Sequence, residues 1–159
     1  MCKRFFLLIS FLSVLALVST NVVFGDVIEV RVAAGDDDME ELVADGTHDL
    51  GSSDLEITEE GEPANNQLIG LRFNNIDVPQ GAIITSAYVQ FHVDETDVPG
   101  DNRPGTRFLR GEAVDNAATF SDTAFDIASR PTTSAEASWD WPLWLTEHEE
   151  GPDQRTSDI

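Results

Sequence analysis

Two crowds of acidic side chains are the first residues whose type and spacing could do chemistry. Asp36, Asp37, Asp38, Glu40 and Glu41 fall within six positions, and Asp94, Glu95, Asp97 and Asp101 gather further along. Calcium takes roughly six to eight oxygen ligands, carboxylates and loop carbonyls among them, and a cation offsets the repulsion between clustered like charges. A structural calcium on Asp36, Asp37, Asp38, Glu40 and Glu41 is therefore one expectation. A solvated acidic face is the other, because no EF-hand-type loop or glycine-rich calcium repeat occurs and acids abound throughout the chain. Zinc is not expected: His48, His92 and His148 are scattered, the single cysteine is Cys2, and HExxH is absent.

A second set sits on alternating segments. In QLIGLRFNN (67–75), Ile69, Leu71 and Phe73 share one parity and Arg72 and Asn74 the other. In AYVQFHVD (87–94), Ala87, Val89, Phe91 and Val93 alternate with Tyr88, Gln90, His92 and Asp94. If the two segments pair, Arg72, Asn74, Tyr88, Gln90 and His92 form one polar sheet face. Arginine, amide, phenol and imidazole together suit the hydroxyls of a sugar, with Arg72 available for a carboxylate or sulfate. An ordinary solvent-facing side of an antiparallel sheet reads the same way.

All three tryptophans lie in SWDWPLWL (138–145). Trp139 continues the apolar parity of Ala135 and Ala137 and is expected in the core, with Trp141 beside it. Pro142 ends that alternation, so Trp144 is open between a stacking platform for sugar and a plug for the core. Nothing selects a catalytic centre. The GxSxG elbow and the GxxxxGK[ST] phosphate loop are absent, and no nucleophile stands out with its base. A non-enzyme is expected. A polysaccharide-degrading enzyme is the weaker alternative, since an acid-rich chain always offers carboxylate pairs.

The elements that must position these residues begin after a leader. MCKRFFLLISFLSVLALVSTNVVFGD has Lys3 and Arg4, an apolar run from Phe5 to Val18, and Val23 and Gly25 ahead of Asp26. That is the form of a secretory signal peptide over 1–25, whose 14-residue apolar run falls short of the roughly 20 residues a spanning helix needs. Residues 26–159 are expected to be one exported domain, secreted and not inserted in a membrane once the leader is removed. Formal charge is −21, and −23 without the two leader cations, so nucleic acid is excluded as a partner. With no cysteine after the leader, stability must come from a core or a metal.

Strands are expected at VIEVRV (27–32), DLEIT (54–58), 67–75, 87–94, TRFLRGEA (106–113) and SAEASWDW (134–141), with one helical turn in DDMEELVADG (37–46). IDVPQGAI, with Pro79 and Gly81, should join 67–75 to 87–94 as a hairpin or adjacent antiparallel pair. The implied fold class is all-β, an antiparallel sandwich.

DDDMEE, GSSDLEI, GLRFNNIDVPQGAIITSAYVQFHVDE, GEAVDNAATF, SWDWPLW and GPDQRTSDI follow one another in this order. Together they resemble a family of secreted bacterial β-sandwich modules, similar in character to jelly-roll carbohydrate-binding modules. The resemblance implies a non-catalytic recognition or adhesion role, with polysaccharide or a cell-surface glycan as ligand. This chain departs from it in an enlarged loop, VPGDNRPG (98–105), and in stopping where the family pattern continues into a short helix and closing strands. The sandwich is therefore expected to lack closing strands. The alternative role is a structural spacer or assembly unit whose open sheet a partner chain completes.

Overall fold

The computed structural model describes residues 25–57, 66–96 and 105–159, so the leader through residue 24 and most of the 98–105 loop lie outside the described residues. The described chain is β-rich. β1 (Asp38–Leu42), β2 (His48–Asp49) and β3 (Gln67–Leu71) form an antiparallel sheet in the order β2-β1-β3. β4 (Gly105–Leu109) and β5 (Ala137–Trp141) form a two-stranded antiparallel sheet. One helical turn, α1 (Asp126–Ser129), packs on β1 and β3. Among the described residues no helix is long and apolar enough to cross a membrane.

The largest departure from the sequence reading is at 37–46, where a strand replaces the expected turn of helix. DMEEL lacks apolar alternation, yet Met39, Glu40 and Glu41 are all buried. Its two faces are completed by hydrogen bonds to carboxylates, which a hydrophobicity pattern does not register. The β1–β2 turn then closes through the Leu42 amide on the Thr47 carbonyl and the Gly46 amide on the Leu42 carbonyl. Gly46 sits at φ 74, and a Cβ there would lie 2.7 Å from the Phe125 amide nitrogen. Both the dihedral and the close approach require glycine.

β3 pairs with β1 and not with 87–94, so the expected hairpin does not form. The register runs from Asp38 opposite Leu71 to Leu42 opposite Gln67. A turn does form between the two segments, with the Ala82 amide on the Pro79 carbonyl and Gly81 at φ 84. The chain on either side of it stays exposed and leads elsewhere. Residues 87–93 run instead beside the C-terminal stretch. His148 N–H donates to the Val93 carbonyl, Val93 N–H to Glu149, Phe91 N–H to Gln154 and Thr156 N–H to Val89, all at 2.8–3.1 Å. Gln90 bridges Arg155 in antiparallel sense. Residues 54–57 form no strand, residue 58 lies outside the described residues, and 27–32 runs without turn or bend and pairs with no strand among the described residues.

The core has two centres. Val93, Trp139 and Trp144 are buried together, with Ile57, Phe91, Leu109 and Trp141 packed around them. Phe91 stacks on Trp139 at 5.6 Å with 5° between planes, and Trp141 meets Trp144 edge-on at 5.5 Å. Such aromatic pairs add about 0.5–1.5 kcal/mol each beyond their buried area. The second centre lies under the three-stranded sheet. Phe120 and Ile127 close on Gly70, where a Cβ would stand 2.5 Å from the Phe120 ring. Arg130 covers the same ring at 4.5 Å and bonds to Glu112, Asp126 and the carbonyls of Ala118 and Thr119.

Candidate functional site

The acidic run after residue 35 does not converge on a point. Asp37 is buried and accepts from the Arg72 guanidinium at 2.5 Å and from the Asn74 amide. Glu40 points to the other side of the sheet and accepts from the Glu56 amide at 2.5 Å. Glu41, fully buried, accepts from the Ile127 and Ala128 amides, both at 2.9 Å, and so caps α1 from a distant strand. Its partner helix has no side-chain cap of its own, because Phe125 holds the N-cap position at φ 65. Asp38 is half-buried, and burial raises its pKa above the usual carboxylate value. Asp36 is exposed. Among the described residues no group of three or more His, Cys, Asp or Glu side chains is placed to hold a metal ion. Asp97 and Asp101 of the second acidic crowd lie outside the described residues.

Arg72 and Asn74 share a face, as their parity requires, but both are committed to Asp37, and Arg72 also donates to the Ala117 carbonyl at 2.7 Å. They are not brought to Tyr88, Gln90 and His92. That second trio lies along one side of 87–93: Val93 is buried and Phe91, Val89 and Gln90 are half-buried, while Tyr88 and His92 are exposed. The C-terminal stretch joins it to form a band. Arg155 lies 4.7 Å over the Tyr88 ring and donates from Nε to the Gln90 side-chain carbonyl at 2.6 Å. The Gln90 amide nitrogen donates in turn to Gly151 and Phe91 carbonyls. His92 stacks on His148 at 5.7 Å and stands 3.8 Å from Glu150. A shallow depression of about 230 Å³, lined by residues 149–154, adjoins this band at Gly151.

Trp144, whose direction Pro142 left open, turns inward. It is 6% exposed, its indole N–H donates to the Asp153 carbonyl at 3.0 Å, and Phe91, Trp139 and Trp141 surround it. No ring face is left for a sugar, so its place among the candidate ligand contacts is corrected to the core. A second depression, about 160 Å³, is lined by Glu40, Leu42, Thr47, His48, Asp49 and Gln67. Burial pushes the Glu40 carboxyl up to about 8, with Glu56 and Asp54 nearby adding to the rise. His48 is raised by its bond to the Gly46 carbonyl first and by Asp122 second; its two ring nitrogens lie 3.0 and 2.9 Å from these acceptors.

The sequence reading missed Arg155, His148 and Glu150. Gln154 and Thr156 are the buried positions of their stretch, and both are polar. Thr156 Oγ1 accepts from the Val89 amide, and Asp158 accepts from Ala87 and Ser86. Hydrophobic period could not reveal a segment whose inward groups are polar. The polar repetition in QRTSD, with side chains able to accept from a neighbouring chain, was the signal available. Comparison with family models, with curated proteins and with solved structures finds no match in any of the three.

Proposed function

We propose that this protein is an exported, non-catalytic recognition module of the β-sandwich type that binds polysaccharide across the band Tyr88–Gln90–His92 and Arg155–His148. The observation that carries this reading is the juxtaposition, on one side of the 87–93 segment, of an exposed phenol, guanidinium and paired imidazoles around the half-buried Gln90 amide. Hydroxyl-rich ligands are recognised by such donor and acceptor sets, and an open band suits a chain lying across it. Formal charge of −21 repels acidic polymers, so a neutral polysaccharide is the ligand of choice.

Affinity electrophoresis through gels containing neutral polysaccharides tests it. Retardation by at least one of them, lost in Tyr88→Ala and Arg155→Ala but kept in Arg31→Ala, is the expected result. A chain that migrates unretarded through every neutral polysaccharide overturns the proposal, as does retardation indifferent to both band substitutions.

A further inference from the structure

We infer that residues 27–32 are a self-pairing strand through which two copies of this chain associate as an antiparallel, two-fold dimer. Within the described residues, no backbone N–H or C=O of this segment is hydrogen-bonded. Val27 and Ile28 are exposed, at 91% and 50%, while Val30 and Val32 are half-buried. Glu29 and Arg31 pair with each other at 3.0 Å, both with side chains more than 70% exposed. That i,i+2 contact places them on one side and leaves Ile28, Val30 and Val32 on the other. A segment free of turn and bend, with one apolar side and a full set of unpaired backbone groups, is a template for another strand.

The charge pattern identifies the occupant as the same segment of a second copy. Align two VIEVRV strands antiparallel about Val30. Ile28 then faces Val32, Val30 faces Val30, and Glu29 faces Arg31 twice, once on each side of the axis. Apolar side meets apolar side, and opposite charges stand directly across from one another, the favourable cross-strand arrangement. Every near alternative is worse. Centring on Glu29 or Arg31 sets like charges opposite each other, as does parallel in-register pairing. A one-residue slip puts the apolar side against the charges. A two-fold contact must be self-complementary, and this six-residue segment is.

A two-stranded ribbon is marginal in water on its own, and two bodies of formal charge −21 repel. The dimer is accordingly weak at low salt and strengthens as added salt screens the long-range repulsion. This association is independent of the polysaccharide reading, since it uses none of the band residues.

Two measurements on the full chain, produced with its leader in an exporting host, test the inference. The first is disulfide capture in a Cys2→Ser background. Val30→Cys places two thiols across the axis and should form a covalent dimer in mild oxidant. Ile28→Cys keeps its thiols about 13 Å apart in this register, at roughly 3.3 Å per residue, and should not. The second is sedimentation velocity in high salt up to about 1 mM chain. Arg31→Glu or Glu29→Arg should weaken association about tenfold or more, because each creates like-charged cross-strand pairs. The double exchange Glu29→Arg with Arg31→Glu should restore it. Because 27–32 makes no backbone bond to the rest of the described chain, each variant should keep the wild-type thermal transition. A monomer at every concentration, equal capture of both thiol variants, or a dimer indifferent to charge reversal overturns the inference.

Discussion

Glu40 should make this protein more stable at pH 5 than at pH 8. The residue is 6% exposed, and its carboxyl is pushed from an ordinary value near 4.5 up to about 8, burial being the main cause. Between those two values the folded chain keeps a proton that the unfolded chain has released. Stability therefore falls as pH rises through the window, by a little over 1 kcal/mol per pH unit at full slope. Three units give about 4 kcal/mol as an upper bound. Allowing half of that for solvent reaching the depression beside Glu40 leaves about 2 kcal/mol, roughly 6–10 °C in Tm for a domain of this size. His48 acts in the same direction: its raised pKa gives stability that is complete below about 6.5 and lost as pH rises through the folded value. The assay is thermal unfolding by circular dichroism at pH 5 and pH 8 for wild type and Glu40→Gln. The glutamine keeps a carbonyl for the Glu56 amide without the charge, so the variant should match wild type at pH 5 and exceed it at pH 8. Equal stability of the wild type at both pH values, or an undiminished slope in the variant, would refute the reasoning.

Three further substitutions or conditions have definite outcomes. Gly70→Ala drives a methyl into the Phe120 ring and should cost about 1–3 kcal/mol by urea unfolding, and Phe120→Leu in the same chain should recover part of the loss. Trp144→Ala should destabilise by about 3–5 kcal/mol, as the loss of a buried indole that packs against three other aromatic rings, and Trp144→Phe by less. Excess calcium against chelator should leave Tm unchanged within about 1 °C, because Asp37, Glu40 and Glu41 already accept from protein donors in different directions, whereas a bound ion would raise it.

What the sequence revealed and what it hid follow one physical division. Gln67–Leu71, Gly105–Leu109 and Ala137–Trp141 were legible because apolar side chains alternate in or beside them, and the inward parity of Val89, Phe91 and Val93 was legible for the same reason. Trp139 was readable as core on that parity. The strand Asp38–Leu42 was not, because its inward side chains include carboxylates whose partners, the amides of Glu56, Ile127 and Ala128, are distant in the chain. The partner of 87–93 was hidden likewise by Gln154, Thr156 and Asp158. Pairing was the least legible feature. Arg72 and Asn74 have the parity foreseen for them, yet Asp37 claims both, and the Pro79–Ala82 turn forms without bringing its flanking segments together. Three of the five residues of the foreseen polar face, Tyr88, Gln90 and His92, stand together, and Arg155 and His148 of the C-terminal stretch join them.

The most direct test of the recognition account is a nuclear magnetic resonance titration of the chain with soluble neutral oligosaccharides. The account predicts concentration-dependent shifts confined to residues 88–92 and 148–155, including the His92 and His148 rings and the Arg155 guanidinium. Shifts centred elsewhere, or none at millimolar oligosaccharide with any neutral sugar, would contradict it.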